Sequence, residues 1–217
     1  MEHAEPLPAF LVTRHRERRS GMTPEHRARL AELSDLGQVP QAMIIACCDS
    51  RVMVTDVFGA DAGDFFVHRN IANLVPACTP DGQQHGTSAT IEYAVTVLKV
   101  RHLIVMGHSS CGGVEGCHDL ATGKGDKGPS ADSFVGRWLD ILSPSVAPIA
   151  ALGLRREPAL RALEHETVLV SLRNLMTFPF VSDAIAEGHL HLHGIWKDIG
   201  EAELEYYDGA SRSFHKI

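Results

Sequence analysis

Nowhere does the sequence string together the ~20 apolar residues of a membrane-spanning helix; its longest apolar runs, over residues 42–48 and 103–106, stop far short. Acids and prolines come early at the N-terminus, and the apolar stretch 10–12 is too brief for the core of a signal peptide. Positive charge is also scarce. Twenty Lys and Arg stand against 27 Asp and Glu, a formal net charge of −7 over 217 residues, which excludes nucleic-acid or anionic-membrane binding by bulk charge. The basic cluster Arg14, Arg16, Arg18 and Arg19 reads as a solvated helix face. Repeats of fixed period and long low-complexity tracts are absent too. Together these absences point to a cytoplasmic protein that partners neither membrane nor nucleic acid.

What is present is an ordinary globular composition, 44% hydrophobic and 22% charged, enough for a single domain with a real core. Five cysteines, in a reducing compartment, serve metal binding or chemistry more often than disulfides. Thirteen histidines raise the expectation of a metal site without locating it.

Residues 6–36 read as two helical pieces, split at Ser20-Gly21 and reopened by Thr23-Pro24-Glu25. This arm packs either on its own subunit or on a neighbour. Residues 43–46, 65–67 and 102–106 are continuous apolar runs of the kind found in strands buried on both faces. Between the last two, residues 87–100 carry Ile91, Ala94, Val95 and Leu98 at helical spacing. Strand, helix and strand in that order predict right-handed crossovers and an α/β fold, with a mainly parallel central sheet flanked by helices. Residues 117–132 read as a surface loop, and helices are expected from about Phe134 and over 164–176. The alternating segment 190–196 predicts a half-buried strand, and Asp208-Gly209 a tight turn into a final short strand.

Two segments carry the chemistry, and each follows a predicted buried strand. They are Cys47-Cys48-Asp49-Ser50-Arg51 and Gly107-His108-Ser109-Ser110-Cys111-Gly112-Gly113. Ligands of parallel α/β sheets bind outside the carboxyl ends of the strands. Cys47, His108 and Cys111 suit zinc, whose borderline softness matches thiolate and imidazole. Three protein ligands leave the fourth position open, the mark of a catalytic rather than a structural site. Cys48 should point away from Cys47, whereas Cys117 and His118 could close the site. The other reading keeps Cys47 and Cys111 as buried small apolar residues. Asp49 and Arg51 fall on the Cys47 side by alternation. A bidentate pair would hold Asp49 off the metal and lower its pKa.

These residues resemble the beta-carbonic anhydrases. The resemblance runs through Cys47-x-Asp49-x-Arg51, His68-Arg69-Asn70-Ile71-Ala72-Asn73, Ile91-Glu92-Tyr93-Ala94-Val95 and Gly107-His108-x-x-Cys111-Gly112-Gly113. It continues through Ser171-Leu172-x-Asn174-Leu175 and Leu192-His193-Gly194-x-Trp196. It covers about residues 38–208 as the core of one domain spanning 1–217, with residues 1–37 as a helical arm and a C-terminal strand extension.

The resemblance implies zinc on Cys47, His108 and Cys111, and reversible hydration of carbon dioxide to bicarbonate and a proton by zinc-bound hydroxide. It also implies two states, with Asp49 on zinc when closed and on Arg51 when open. Ile44 stands where the bicarbonate-regulated group carries Trp, and Gly37-Gln38-Val39-Pro40 fits the plant-like group instead, so an open state is expected. That group's substrate pocket maps to Gln38, Phe66, Ile71, Tyr93 and Gly112. It is built across a homodimer, with Gln38, Phe66 and Tyr93 supplied by the partner. Cys48 replaces the usual Ser or Ala, and Ile195 and Lys197 depart from the usual Gly and Tyr; neither change touches the zinc ligands. Other readings are hydrolysis of carbonyl sulfide or carbon disulfide on the same fold, or a zinc-binding structural protein without turnover.

Overall fold

The apolar runs become strands where they can be buried, as a computed structural model describing residues 3–123 and 129–217 shows. Two compact units divide the chain, Met1–Gln38 and Val39–Ile217. The first holds α1 (Ala9–Ser20) and α2 (Pro24–Leu36), neither with a buried residue. Thr23 caps α2 by accepting the His26 N–H at 3.2 Å, Pro24 occupies its first position, and Gly37 ends it at φ +79°. The two pieces are those expected from sequence.

The second unit runs β1 (Ala42–Cys47), α3 (Val54–Phe58), β2 (Phe65–Asn70), a short 3₁₀ turn (Ile71–Asn73) and α4 (Gly86–Glu92). A π-turn follows over Tyr93–Val97, then β3 (His102–His108), α5 (Gly112–Thr122), α6 (Phe134–Leu139) and α7 (Val146–Ala150). The chain ends with α8 (Arg156–Leu175), α9 (Pro179–Ala186), β4 (His191–Lys197), β5 (Leu204–Asp208) and β6 (Ser213–Lys216). The strands form one sheet in the order β2-β1-β3-β4-β5-β6. The first four are parallel, and β5 and β6 continue antiparallel. The fold is α/β with a mostly parallel sheet, and that sheet extends past residue 208 to Lys216.

Alternation along β1 assigns its two faces. Met43 and Ile45 pack with Leu103, Val105 and Val168, whereas Ile44 and Ala46 pack with Met106, Ile195, Val52 and Val54. Helix α8 lies against β3 and β4, where two glycines let it approach. A Cβ on Gly107 would sit 2.8 Å from Val168 Cγ2, and one on Gly194 2.7 Å from Val168 Cγ1. Among the described residues no single helix is long and apolar enough to cross a membrane.

Four sequence expectations need correction. Residues 65–67 are not buried on both faces: β2 is the sheet's edge, half-buried, with Val67 exposed. Residues 117–122 are helix rather than loop, because α5 buries Val114, Cys117 and His118 on one stripe behind its glycines; residues 124–128 lie outside the described residues. The helix predicted over 164–176 starts at Arg156, with Pro158 tolerated in its first turn. The helix predicted over 87–100 stops at Glu92 and widens into the π-turn.

Candidate metal centre

Cys47 is the last residue of β1 and His108 the last of β3. Beyond β3 the chain turns at Ser110, which holds a left-handed φ of +56°, and Cys111 caps α5. All three side chains are buried, and their ligand atoms lie within 4.8 Å of one another. The His108 Nδ1–H donates to the Ser109 carbonyl at 2.9 Å, which leaves Nε2 as the free donor atom. That Nε2 is buried without any hydrogen-bond partner. A buried polar atom left unpaired costs roughly 1–3 kcal/mol, so its place beside two thiols needs a partner to justify it. A borderline divalent ion is such a partner, and the residues present fit one.

The thiols are matched to that role. The Cys111 thiol, followed by His108, holds Cys47 down to about 4, well below a free thiol. Cys111 is pushed up, first by Cys47 and then by burial. Two buried sulfurs therefore hold one proton between them, and a cation can replace it.

Asp49 is turned onto Arg51. Arg51 donates Nε–H to Oδ1 at 2.9 Å and Nη2–H to Oδ2 at 2.7 Å, and its backbone N–H reaches Oδ1 at 2.9 Å. The same Nη2 donates to the Ser110 carbonyl at 3.0 Å, linking the β1 loop to the Cys111 turn. The Arg51 guanidinium holds the Asp49 carboxyl well below the usual carboxylate range. This is the fork expected from the Cys-x-Asp-x-Arg spacing.

Sequence reasoning missed two supports. Arg69, on β2, donates Nε–H to the Cys47 carbonyl at 2.9 Å and Nη2–H to the Asp49 carbonyl at 2.7 Å. Glu164, buried on α8, accepts the Cys111 N–H at 3.3 Å, and burial pushes its carboxyl up. Arg69 stood inside a quoted motif, so a signal existed. Glu164 lies 53 residues from Cys111 in an unremarkable helix, and nothing local marks it. Cys48 is exposed and is not part of the convergent group. Cys117 does not close the site: its thiol donates to the Leu139 carbonyl at 3.6 Å, and His118 bonds Asp119. His68 bonds Thr87 at 3.0 Å in a half-buried setting and is satisfied there.

The residues matched to the substrate pocket fall into groups. Ile71 packs on the apolar cluster that contains Cys47 and Cys111. Gly112 follows Cys111 directly, and a Cβ there would meet nothing within 4 Å, so open ground adjoins the ligating turn. Phe66 and Tyr93 instead pair with each other, ring centroids 5.9 Å apart, and Phe66 packs against the neighbouring core cluster. Gln38 is the last residue of the N-terminal unit. A cavity of about 920 Å³ opens beside Arg51, Ser110, Glu164 and Arg161, and Cys47, His108 and Cys111 are not among the described residues that line it.

The family model for carbonic anhydrase matches residues 42–204. A carbonic anhydrase from Pseudomonas aeruginosa is 38% identical over 189 residues, spanning 87% of this chain and 82% of that protein. Beta carbonic anhydrase 3 from Arabidopsis thaliana is 33% identical over 174 residues, 79% of this chain and 66% of that one. Among solved structures, the beta-carbonic anhydrase CcaA superposes with a TM-score of 0.85 at 31% identity, covering 95% of this chain and 90% of that one. A tetrameric beta-carbonic anhydrase from Sordaria macrospora superposes with a TM-score of 0.75 at 29% identity, over 91% and 94%. Likeness of this extent, over the same residues that build the buried thiol–imidazole group, makes the chain a member of the carbonic anhydrase family, in its beta class.

Proposed function

We propose that this carbonic anhydrase is a zinc enzyme interconverting carbon dioxide and bicarbonate, with Cys47, His108 and Cys111 as the protein's ligands. One observation carries the reading: among the described residues a buried His108 Nε2 has no hydrogen-bond partner and lies within 4.8 Å of the buried Cys47 and Cys111 sulfurs. Zinc held there supplies Lewis acidity, the property that lets water act as a nucleophile near neutral pH.

The chain's own residues do the rest. Asp49 is kept ionised by Arg51 at working pH; Oδ1 already accepts two hydrogen bonds from Arg51, and Oδ2, which accepts one, retains acceptor capacity. It accepts a hydrogen bond from the reacting water and so aims the water's lone pair. Arg51 and Arg69 together fix where Asp49 stands, one through the carboxylate and the other through the backbone. Ile71 offers apolar surface to an apolar substrate, and the bare Cα of Gly112 leaves room for it.

The proposal includes a homodimer whose second copy contributes Gln38, Phe66 and Tyr93. Support comes from the exposed β2 edge, whose outer backbone groups are free to pair with another strand, and from the tetrameric state named for the Sordaria relative. Full burial of Ile44, where the bicarbonate-regulated group has Trp, supports the plant-like assignment. The cytoplasm is the proposed compartment, because two of the three ligands are thiols that must stay reduced to bind metal.

Stopped-flow hydration of carbon dioxide by metal-analysed protein, from about pH 6.5 to 9, tests the reading. Hydration that rises with pH, at about one tightly held zinc per chain, is the expected result. Full zinc with no hydration at any pH overturns it and directs attention to carbonyl sulfide.

A further inference from the structure

A second group of imidazoles lies at the opposite end of the sheet. His102 opens β3 and His191 opens β4, and the two are register partners. His193 follows two residues later on the same face of β4. His108 closes β3 at the catalytic end, and six residues at ~3.3 Å each put ~20 Å between the two places. His102 Nδ1 stands 3.1 Å from His193 Nε2, and their ring centroids are 5.2 Å apart. His191 stacks on His102 with centroids 5.6 Å apart.

We infer that His102 and His193 form a chelate for a divalent transition-metal ion, with His191 available as a third ligand. Without an ion the two rings share a proton in an ordinary hydrogen bond, and the same 3.1 Å spacing also matches two nitrogens on one ion. Metal–nitrogen bonds of about 2.0–2.1 Å put two cis nitrogens roughly 2.9–3.4 Å apart, from right-angled to tetrahedral geometry. Both rings line a cavity of about 480 Å³ with Phe58, Phe65, Ile104 and Tyr206, which leaves room for water on the remaining positions. Among the described residues no carboxylate lines it, so the hard, oxygen-seeking ions calcium and magnesium are disfavoured, and imidazole-preferring zinc, nickel or copper are favoured. Burial, then the neighbouring His102 and His191, hold His193 below the ordinary histidine value, so its lone pair is available at neutral pH. An ion here ties β3 to β4 at their start and is independent of the thiolate site.

Equilibrium dialysis against zinc, starting from protein already carrying its first tightly held zinc, tests this. The wild type should take up one further, weaker zinc per chain. His102→Gln and His193→Gln should each weaken that second zinc at least about tenfold and keep the first; His191→Gln should weaken it less. Imidazole nitrogen NMR of the wild type gives a readout that does not depend on the variants. His102 and His193 should shift with the second equivalent, while the exposed His85 should not. A wild type that takes no second zinc, shifts confined to other histidines, or a second zinc retained in the H102Q/H193Q double variant would each overturn the assignment.

Discussion

Replacing Arg51 with alanine strips both guanidinium hydrogen bonds from Asp49 but leaves the backbone N–H on Oδ1. Arg51→Ala should therefore keep the metal and lose about 10- to 100-fold in turnover; loss of zinc as well would make Arg51 chiefly structural. The sign of the pH effect follows from the depressed Asp49 pKa. Its stabilisation is fully present above the unfolded value of about 3.9 and is lost as pH falls through the lower folded value. Carboxyl carbon NMR of Arg51→Ala should find the Asp49 midpoint moved up towards about 3.9. Metal-free protein offers a second check. Thiolate absorbance near 240 nm should persist well below the range of a free thiol and be lost in Cys47→Ser, which removes one of the two sulfurs that share a proton. The candidate ligands, with Asp49 and Arg51, were legible because Cys47–Arg51 spans five residues and His108–Cys111 four, each starting at the end of a buried strand. Arg69 and Glu164 were not assigned, because they reach Cys47 and Cys111 across 22 and 53 residues of chain.

Helix α8 holds the site from behind, and it does so through close approach and a polar seam. Gly107→Ala would push a Cβ to 2.8 Å from Val168 Cγ2 and 3.3 Å from the Glu164 carbonyl, an overpacking that costs about 1–3 kcal/mol. Urea unfolding should show that loss, and a Val168→Ala background should reduce it, whereas additive losses would place the clash elsewhere. The seam joins α8 to the segment after β2. The Ser171 hydroxyl donates to the Asn73 carbonyl and accepts the Val75 N–H, Asn73 donates to Thr167, and Asn174 donates to the Val75 carbonyl. These bonds hold Ala72 and Asn73 at left-handed φ values of +59° and +48°, a strained turn beside Ile71. Ser171→Ala leaves two buried backbone groups without that partner and should cost about 1–3 kcal/mol by the same measurement. The segment 171–175 was visible in sequence as part of a helix and as a resemblance, and its work is visible only where α8 meets that turn. Helix α5 was obscured for a different reason. Its glycines and the polar residues after it imitate a loop, and the stripe of Val114, Cys117 and His118 is too short to dominate the pattern.

For the whole molecule, the proposed dimer gives the clearest prediction. Light scattering on the eluting protein should return at least twice the chain mass of 23.6 kDa; a fully active monomer would remove the roles proposed for the partner's pocket side chains. The sequence by itself pointed to the family, the α/β class, the Cys47, His108 and Cys111 trio as candidate ligands, and the pairing of Asp49 with Arg51. All of these rest on short motifs whose geometry is nearly local, set by strand alternation and a turn. Only the tertiary structure decided that β2 is an edge, that half-buried Phe66 and exposed Tyr93 pair with each other, that Arg69 and Glu164 brace Cys47 and Cys111, and that three histidines meet at the far end of the sheet. Strand order and the crossing of α8 govern those outcomes, because they bring together residues tens of positions apart. Such contacts depend on the packing of whole elements, which local spacing does not encode.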